Sequence, residues 1–491
     1  MSKVRRSLFV GLGSSLLGVL VLVSLAALLG GCAVGPNYVK PQTPVAASFQ
    51  SAQEPIYTSQ NVQAEFWKQF GDPTLDQLVD DALDANHDLR IALGRLVEAR
   101  AARHQALFDF GPTVTADGGY TKQRVPAAAS PVGAGYKYEL YDAGFDATWE
   151  LDLFGRIRRE NEAARADLEG AEANLHDVQV SVIAEVARTY FELRGTQNEL
   201  AVARRNVENQ RESLRITSER LSAGRGTELD TSRAQAQLST TLATLSPLEA
   251  SISRSIHRLG VLTGRDPNAL TSLLGPGKDL PDLPQLAAVG DPASLLRRRP
   301  DIRVAERQLA AATARIGVAV GDLFPKVSFT GNFGYMSNDT SALGSSGARS
   351  YEIAPGISWA AFDLGRIAAQ VRAAHAQADV ELASYQKTVL LALEDTENSL
   401  VTHARARDHL RNADDAARAS ATAARLARTR YEGGIVDFLE VLDAERTQLQ
   451  AEDQLAVSRT DAMTSLVAVY KALGGGWEGA APPRYTQAAS R

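Results

Sequence analysis

The stretch YDAGFDATW, which runs from Tyr141 to Trp149, alternates apolar and polar residues without a break. One face of such a segment carries Tyr141, Ala143, Phe145, Ala147 and Trp149. The opposite face carries Asp142, Gly144, Asp146 and Thr148. A period of two with a clean apolar and polar split predicts a β-strand between two different environments. The stretch VSFTGNFGY, Val327–Tyr335, has the same pattern, with Thr330 and Asn332 on its polar face.

These two stretches belong to an internal repeat that covers most of the 491 residues. Matching positions lie 213 residues apart before the strands and 210 apart after them, so the first copy has one longer loop. The pairs are Asp88 with Asp301, Pro112 with Pro325, Trp149 with Trp359, Gly155 with Gly365, and Gly224 with Gly434. An ordered series of this kind predicts two copies of one structural unit.

Each copy contains the same predicted elements: a helix, two strands, a very long helix, a glycine break and a shorter helix. The long helices are predicted at Arg156–Leu221 and Arg366–Tyr431, and the shorter ones end near Leu262 and Leu473. The predicted divisions are a signal peptide (1–31), a lipidated N-terminal segment (32–73), a first repeat (74–263), a linker rich in proline and glycine (264–291), a second repeat (292–473) and a C-terminal tail (474–491).

The chain contains only four strands of this kind, each about 10 residues long, which is the length that spans a bilayer when tilted. A soluble sheet with one face on a core is the alternative, but Trp149 and Trp359 lie at strand ends, where interfacial aromatic residues belong. Four strands cannot close a barrel, because the smallest bacterial barrels need about eight. Two chains would supply eight strands around a packed interior, and three would supply twelve around a lumen. The polar strand faces favour three.

The long helices predict a coiled coil. Arg156–Leu221 contains no proline and would be about 100 Å long as a helix. In the second copy, apolar residues recur every three or four positions at Val371, Ala374, Ala378, Leu382, Tyr385, Val389 and Ala392. This spacing is the seam of a coiled coil. The predicted fold is therefore mostly α with a small β part.

The N-terminus predicts export. A basic start and an apolar run over residues 8–29 precede the sequence LGGC, in which Cys32 is the sole cysteine. A transmembrane anchor is the alternative, because the run is long enough to span a bilayer. LGGC resembles a bacterial lipobox, which implies that Cys32 carries N-palmitoyl and S-diacylglycerol groups and becomes the new N-terminus. Ala33, in place of an aspartate, favours the outer membrane by the same resemblance.

Several motifs together resemble those of the TolC-like outer-membrane efflux ducts, in particular the NodT/OprM group of lipoproteins. They are CAVGPNY at Cys32–Tyr38, FW at Phe66–Trp67, FGDP at Phe70–Pro73, RRPDI at Arg298–Ile302, LDA at Leu442–Ala444 and LGGGW at Leu473–Trp477. The resemblance implies a homotrimer with a twelve-stranded transmembrane β-barrel, four strands per chain, continued by a long periplasmic α-helical coiled-coil barrel. It also implies a periplasmic adaptor and an inner-membrane pump of the RND type as partners. The residue patterns themselves predict no cofactor and no metal site.

The second glycine break is more acidic than the first. The last helix begins with Asp437, Glu440 and Asp443 close together. A structural interpretation covers two of them, because Asp437 can N-cap the helix with Glu440 as its capping-box partner. Asp443 lies past the first turn, and its counterpart in the first repeat is Arg233.

The resemblance implies that acids matching Glu440 and Asp443 line a narrow periplasmic entrance around one axis. Two carboxylates about 6 Å apart repel by ~0.7 kcal/mol in water and by about 3 kcal/mol at an effective dielectric constant of about 20. Such a ring attracts cations and repels anions. We therefore predict that Asp443, with Glu440, sets the selectivity and part of the gating of the entrance.

A latch between a tyrosine and an arginine is also implied at this end of the tunnel. Tyr431 matches the tyrosine, whereas Val436 stands at the arginine position, which puts the latch in question. The exposed tips near Gly224 and Gly434 are the predicted surface for docking the adaptor.

The remaining features exclude several classes of function. A net charge of −6 does not favour nucleic-acid binding. The seven histidines form no His-Glu-x-x-His pattern, and no phosphate loop or Gly-x-Ser-x-Gly elbow occurs, so we predict that the protein is not an enzyme. The predicted function is a passive exit duct for drugs and small toxic solutes. An exit duct for type I secretion or metal ions, and a lipid-anchored periplasmic coiled-coil scaffold, are the alternatives.

Overall fold

Helices make up most of the chain. The computed structural model describes residues 33–60, 62–129 and 133–478. The helices are α1 (Pro73–Ala85), α2 (His87–Phe108), α3 (Arg156–Ser222), α4 (Glu228–Leu262), α5 (Thr271–Leu274), α6 (Pro292–Arg298), α7 (Pro300–Gly321), α8 (Leu364–Glu432) and α9 (Phe438–Ala472). The strands are β1 (Tyr57–Thr58), β2 (Thr113–Val125), β3 (Tyr136–Leu151), β4 (Ala287–Ala288), β5 (Lys326–Ser337) and β6 (Arg349–Ser358).

The two halves of the chain contain the same run of elements, as predicted. The first half has α2, β2, β3, α3 and α4, and the second has α7, β5, β6, α8 and α9. The long helices α3 and α8 have 67 and 69 residues, and the shorter α4 and α9 have 35 each. The predicted ends of these helices are confirmed to within two residues.

The great length of α3 and α8 follows from their composition. Neither contains proline, and small alanines recur at the spacing that lets neighbouring helices pack closely. The predicted seam of α8 is confirmed: Tyr385, Val389 and Ala392 are buried, and the four seam positions before them are partly buried. Within the described residues, no helix combines the length and the apolar character needed to cross a membrane.

The chain forms two compact units, and each takes residues from both halves. Only the described residues are assigned here. The first unit, which we call the sheet unit, contains those up to Pro41, in Val97–Ala171 and in Ala305–Tyr385. The second, which we call the helical unit, contains those in Gln42–Leu96, in Glu172–Val304 and from Gln386 to Glu478.

The sheet unit contains one antiparallel sheet in the order β2-β3-β5-β6. The four predicted strands are confirmed, although at 10 to 16 residues most are longer than expected. Phe145 lies opposite Phe333 in the register, and Asp146 lies opposite Asn332, so the apolar and polar faces continue from strand to strand. Both faces are open: Phe145 and Ile353 on the apolar face are 58% and 76% exposed, and Asp146 and Asn332 on the polar face are exposed too. Within the described residues, β2 and β6 each pair on one side only.

The repeat extends to individual side-chain bonds in the sheet unit. The indole Nε1 of Trp149 donates to the carbonyl of Phe110 at 2.9 Å. The indole Nε1 of Trp359 donates to the carbonyl of Leu323 at 3.0 Å. Each acceptor lies two residues beyond the end of the helix that precedes the strands, so each tryptophan fixes a strand end to a helix end in the same way.

The helical unit has an aromatic core in which the motifs FW and FGDP take part. Phe66 stacks on Tyr470 with ring centroids 4.9 Å apart, and Trp67 is fully buried. The buried carboxylate of Asp72 caps α1, and it also accepts hydrogen bonds from the Tyr190 hydroxyl at 2.6 Å and from Lys278 at 2.8 Å. These residues therefore form a structural core.

The linker is less irregular than its composition predicts. It contains the short helix α5, and β4 pairs in parallel with β1 from the N-terminal segment. Tyr57 lies opposite Ala287, and Thr58 lies opposite Ala288. This two-residue ladder is too short to leave a periodic pattern in the sequence.

We expect the stability of the helical unit to depend on pH through Glu199 on α3. Burial, followed by repulsion from Asp453 and Asp461, raises the pKa of Glu199 from 4.5 to about 7. Because the folded chain keeps this proton at a higher pH than the unfolded chain, stability is lost as the pH rises from about 4.5 to about 7. Glu199→Gln should therefore raise the Tm at pH 8 by about 2–4 °C and leave it unchanged at pH 4.

Circular dichroism during heating measures this difference. Glu208→Gln, at an exposed glutamate on the same helix, is the control and should change the Tm at neither pH. An equal gain for Glu199→Gln at both pH values would contradict an origin in protonation.

Candidate functional site

Two helix–turn–helix junctions meet in the helical unit, and we call residues 220–230 and 430–443 the tip. The α3–α4 turn passes through Gly224 at φ 71°, and the α8–α9 turn passes through Gly434 at φ 74°. The backbone N–H of Arg225 donates to the Arg220 carbonyl at 2.8 Å, and that of Ile435 donates to the Arg430 carbonyl at 2.9 Å. These are the bonds of a helix end that reverses through a left-handed glycine. Both glycine breaks are thus turns of one type.

The helices after the turns begin with different caps. In the first repeat, Thr227 and Asp230 form a complete capping box. In the second, the Asp437 carboxylate accepts from the backbone N–H of Glu440 at 3.3 Å, so the predicted N-cap is confirmed. The predicted capping-box role of Glu440 is wrong. Its carboxylate accepts from Arg430 Nη1 at 2.9 Å, because the arginine offers a charged donor across the turn.

Tyr431 lies in the core of the tip. It is 6% exposed, and its ring packs on Phe438 with centroids 5.7 Å apart. The buried residues around it are Ala234, Ala427, Phe438, Val441 and Leu442. Val436, at the position where an arginine was expected, packs against the same cluster. Within the chain, Tyr431 therefore belongs to the buried cluster on which the α8–α9 turn packs.

An arginine does bind Tyr431, but it comes from the other repeat. Arg220 Nη2 donates to the Tyr431 carbonyl at 2.6 Å, and its Cζ lies 3.8 Å from the centre of the tyrosine ring. The guanidinium thus joins the two turns by a charge-assisted hydrogen bond and a cation–π contact. Sequence reasoning missed Arg220 because it looked for the partner within one repeat. The available signal was that Arg220 is the repeat counterpart of Arg430.

The three acids at the start of α9 differ in how far their charge is balanced. Asp437, Glu440 and Asp443 are all exposed in the single chain. Asp437 is occupied as a cap, and Glu440 is paired with Arg430. No hydrogen bond or ion pair reaches the Asp443 carboxylate from the residues that the structure describes. Asp443 therefore carries the least compensated negative charge of the three.

A fourth acid, Glu445, lies two residues beyond Asp443 on α9 and is buried. Its carboxylate accepts from the Ser213 hydroxyl at 2.9 and 3.1 Å and pairs with Arg428. Sequence reasoning did not identify this group. Because its bonds are all internal, Glu445 ties α3, α8 and α9 together below the tip.

The tip also exposes large apolar side chains. They are Leu221, Leu229, Ile435 and Leu439, and Ile435 is 71% exposed. Exposed apolar side chains at a turn are typical of a protein-binding surface. The sequence-based prediction of the docking surface included only Gly224 and Gly434. These glycines shape the turns but have no side chain to contact a partner.

The other predicted site residues lie elsewhere. Cys32 lies outside the residues that the structure describes. Trp149 and Trp359 are at the sheet ends, as described above.

The histidines were not predicted as site residues, and one of them, His403, is fully buried. Burial and then Arg407 lower the pKa of His403 to about 4, and its Nδ1 lies 3.0 Å from the Ser465 hydroxyl. Among the described residues, no group of three or more His, Cys, Asp or Glu side chains could hold a metal ion.

Comparison with known proteins agrees with this architecture. The family model described as outer membrane efflux protein matches residues 78–265 and 292–475. The antibiotic efflux pump outer membrane protein ArpC of Pseudomonas putida is 34% identical over 468 residues, covering 94% of this chain and 96% of the relative. The toluene efflux pump outer membrane protein TtgC of the same species has the same identity and coverage.

Solved structures show the same fold. The outer-membrane channel OprN superimposes with a TM-score of 0.87 at 45% identity, covering 91% of this chain and 100% of that channel. The open state of the MtrE outer membrane channel of Neisseria gonorrhoeae superimposes with a TM-score of 0.79 at 28% identity, covering 93% and 100%.

Arg220→Ala is expected to loosen the α8–α9 turn. The lost hydrogen bond and cation–π contact are together worth about 2–3 kcal/mol. Hydrogen–deuterium exchange measured by mass spectrometry should therefore become at least about tenfold faster at the amides of residues 432–436.

Two variants control for this result. Arg225→Ala changes an exposed arginine in the neighbouring turn and should leave exchange unchanged. Tyr431→Phe keeps the carbonyl and the ring and should behave like the wild type. Unchanged exchange in Arg220→Ala would show that the arginine does not hold the turn.

Proposed function

The chain belongs to the outer membrane efflux protein family, and on this premise we propose that three copies pool their sheets to form one exit duct. Membership makes the chain the outer-membrane channel of a tripartite efflux system, a duct that catalyses no reaction. The observation that carries the trimer is the open sheet, whose edge strands β2 and β6 each have one neighbour in the described chain.

The shared sheet follows from the cost of unpaired backbone groups. In lipid each unpaired N–H or C=O costs several kcal/mol, so the edges of a spanning sheet must be paired. Three sheets of four strands, joined β2 to β6, close a twelve-stranded barrel with a lumen. The face of Phe145 and Ile353 then meets lipid, and the face of Asp146 and Asn332 lines the lumen.

The two tryptophans suit the boundary of this barrel. Trp149 and Trp359 combine an exposed ring with an indole N–H that is bound to a carbonyl at a helix end. Such amphipathic rings prefer the level of the lipid headgroups. We assign them to the membrane interface on the side of the helices.

We propose further that Cys32 is acylated, with an N-palmitoyl and an S-diacylglycerol group, and anchors each chain to the outer membrane. The support is the LGGC sequence behind an export signal. Mass spectrometry of the N-terminal peptide of the mature protein tests this assignment, because an unmodified Cys32 would overturn it.

At the tip, we assign the entrance selectivity chiefly to Asp443. Glu440 contributes less than its position suggested, because Arg430 already balances its charge. Asp437 caps α9, and Tyr431 holds the turn behind the acids. Three copies of an uncompensated Asp443 around one axis would form an anionic ring that favours cations.

The names of two relatives support the proposed cargo, and the surface of the tip supports the proposed partners. Two of them are named for the efflux of antibiotics and of toluene, which favours drugs and small apolar solutes over secreted proteins or metal ions. The exposed apolar residues beside Gly224 and Gly434 suit a periplasmic adaptor that connects the duct to an inner-membrane pump of the RND type.

Single-channel recording in planar bilayers tests the duct and its entrance together. The reconstituted protein should conduct ions with a preference for cations, whereas a periplasmic scaffold would not conduct. Asp443→Asn should weaken the cation preference, because it removes one charge per chain from the ring, and Asp443→Glu should retain it. A selectivity unchanged by Asp443→Asn would contradict the assignment of the entrance.

A further inference from the structure

The residues that follow Cys32 form a docked segment, which we call the strap and define as Ala33–Lys40. In the sheet unit, the strap lies against the first turns of α3, from the first repeat, and against α7, from the second repeat. The backbone N–H of Val34 donates to the carbonyl of Phe154 at 3.0 Å, in the short connection between β3 and α3. The strap therefore begins where the sheet ends.

A buried arginine binds the strap. Arg159 on α3 is only 3% exposed. Its Nε donates to the Val34 carbonyl at 3.1 Å, and its Nη2 donates to the Gly35 carbonyl at 3.2 Å and to Asn37 Oδ1 at 2.7 Å. A buried guanidinium is costly unless its donors are satisfied, and three of its contacts here are to the strap. Glu162 accepts the remaining bond, from Nη1 at 2.7 Å.

Glycines make room for the strap on both sides of this arginine. A Cβ on Gly35, where φ is +88°, would lie 2.5 Å from the Cα of Gly317 on α7. A Cβ on Gly155 would lie 2.5 Å from the Cα of Ala33. A Cβ on Gly317 would lie within 2.8 Å of the Arg159 side chain. The backbone of the strap therefore fits a groove that exists only because these positions have no side chain.

The end of the strap is held by charge. The Tyr38 hydroxyl donates to Glu306 Oε1 at 3.1 Å, and Lys40 Nζ donates to Glu306 Oε2 at 3.0 Å. Arg307 lies over the Tyr38 ring, with its Cζ 5.4 Å from the ring centre. The small residues Ala166, Ala310 and Ala311 pack beneath the tyrosine. Six of the eight strap residues, all except Pro36 and Val39, thus contact α3, α7 or the connection before α3.

We propose that this groove is a docking site for the mature N-terminus, and that it fixes the lipid anchor beside the end of the sheet. The inference rests on the proposed acylation of Cys32. A free, flexible tail of eight residues has an r.m.s. end-to-end distance of about 15 Å, so it would not fix the position of the anchor. Docked, the tail holds Ala33, the residue that follows Cys32 in the chain, beside Gly155. The anchor then sets the depth and the side at which the sheet enters the membrane, and Arg159 is its positioning residue.

Release of the anchor by chymotrypsin tests the docking, using the full-length mature protein in membranes. Cleavage after Tyr38 detaches the acylated peptide, and it requires the strap to leave the groove. Arg159→Ala, on the body, and Gly35→Ala, on the strap, should each speed release at least about tenfold. The double variant should release no faster than the faster single variant, because both remove the same docking. Arg165→Ala, at an exposed arginine on the same helix, is the control and should not change the rate.

The released peptide separates the two proposals. An unacylated peptide would overturn the anchor and the role of the strap with it. An acylated peptide that is released at the same rate from all variants would overturn the strap alone.

A second measurement distinguishes positioning from general support of the fold. It follows how fast the exported chain becomes a heat-modifiable trimer in the outer membrane. Arg159→Ala is compared with the wild-type residue in two backgrounds. One is the acylated chain, and the other is Cys32→Ser exported with a cleavable signal that has no lipobox. We expect several-fold slower assembly in the acylated chain and no further slowing in the Cys32→Ser chain. Equal slowing in both backgrounds would show that Arg159 only supports the fold and would overturn the proposal.

Discussion

The unpaired edges of the four-stranded sheet are the constraint on which the rest of the structure depends. Strands β2 and β6 end the sheet of one chain, and both faces of that sheet are exposed. A sheet of this kind has no stable place in water or in lipid by itself, because it exposes apolar side chains to the one and backbone groups to the other. Association that joins β2 to β6 removes both costs. The proposed lumen, the proposed anionic entrance and the proposed lipid anchor would have a function only after that step.

The repeat explains how one chain places different chemistry at equivalent positions. Both turns of the tip pass through a glycine and have the same backbone hydrogen bonds. The side chains then diverge: Arg220 holds the neighbouring turn, whereas its counterpart Arg430 balances Glu440. Arg233 in the first repeat corresponds to Asp443 in the second. Duplication thus supplies the scaffold, and substitution on one copy supplies the charge at the proposed entrance.

Helices and strands whose residue pattern repeats regularly over many positions could be predicted from the sequence. Contacts between segments that are far apart in the chain could not. Proline-free alanine spacing defines α3 and α8 to within two residues, and strict alternation defines the four strands. The ladder of β1 with β4 has no periodic signal because it is two residues long. The bonds of Arg220 and Arg159 escaped prediction because they join positions far apart in the chain. Glu440 was misassigned because a local cap and a cross-turn ion pair leave the same sequence pattern.

Disulfide crosslinking between the sheet edges tests the central claim most directly. One cysteine is placed on β2, at Thr115, Asp117 or Gly119, and one on β6, at Ser350, Glu352 or Ala354, all on the polar face. Cys32 is the sole native cysteine, so the background is low. After oxidation in the membrane and full denaturation, a pair in register should give a covalent ladder that ends at three copies. A ladder that ends at one or two copies, or continues beyond three, would contradict a barrel shared by three chains.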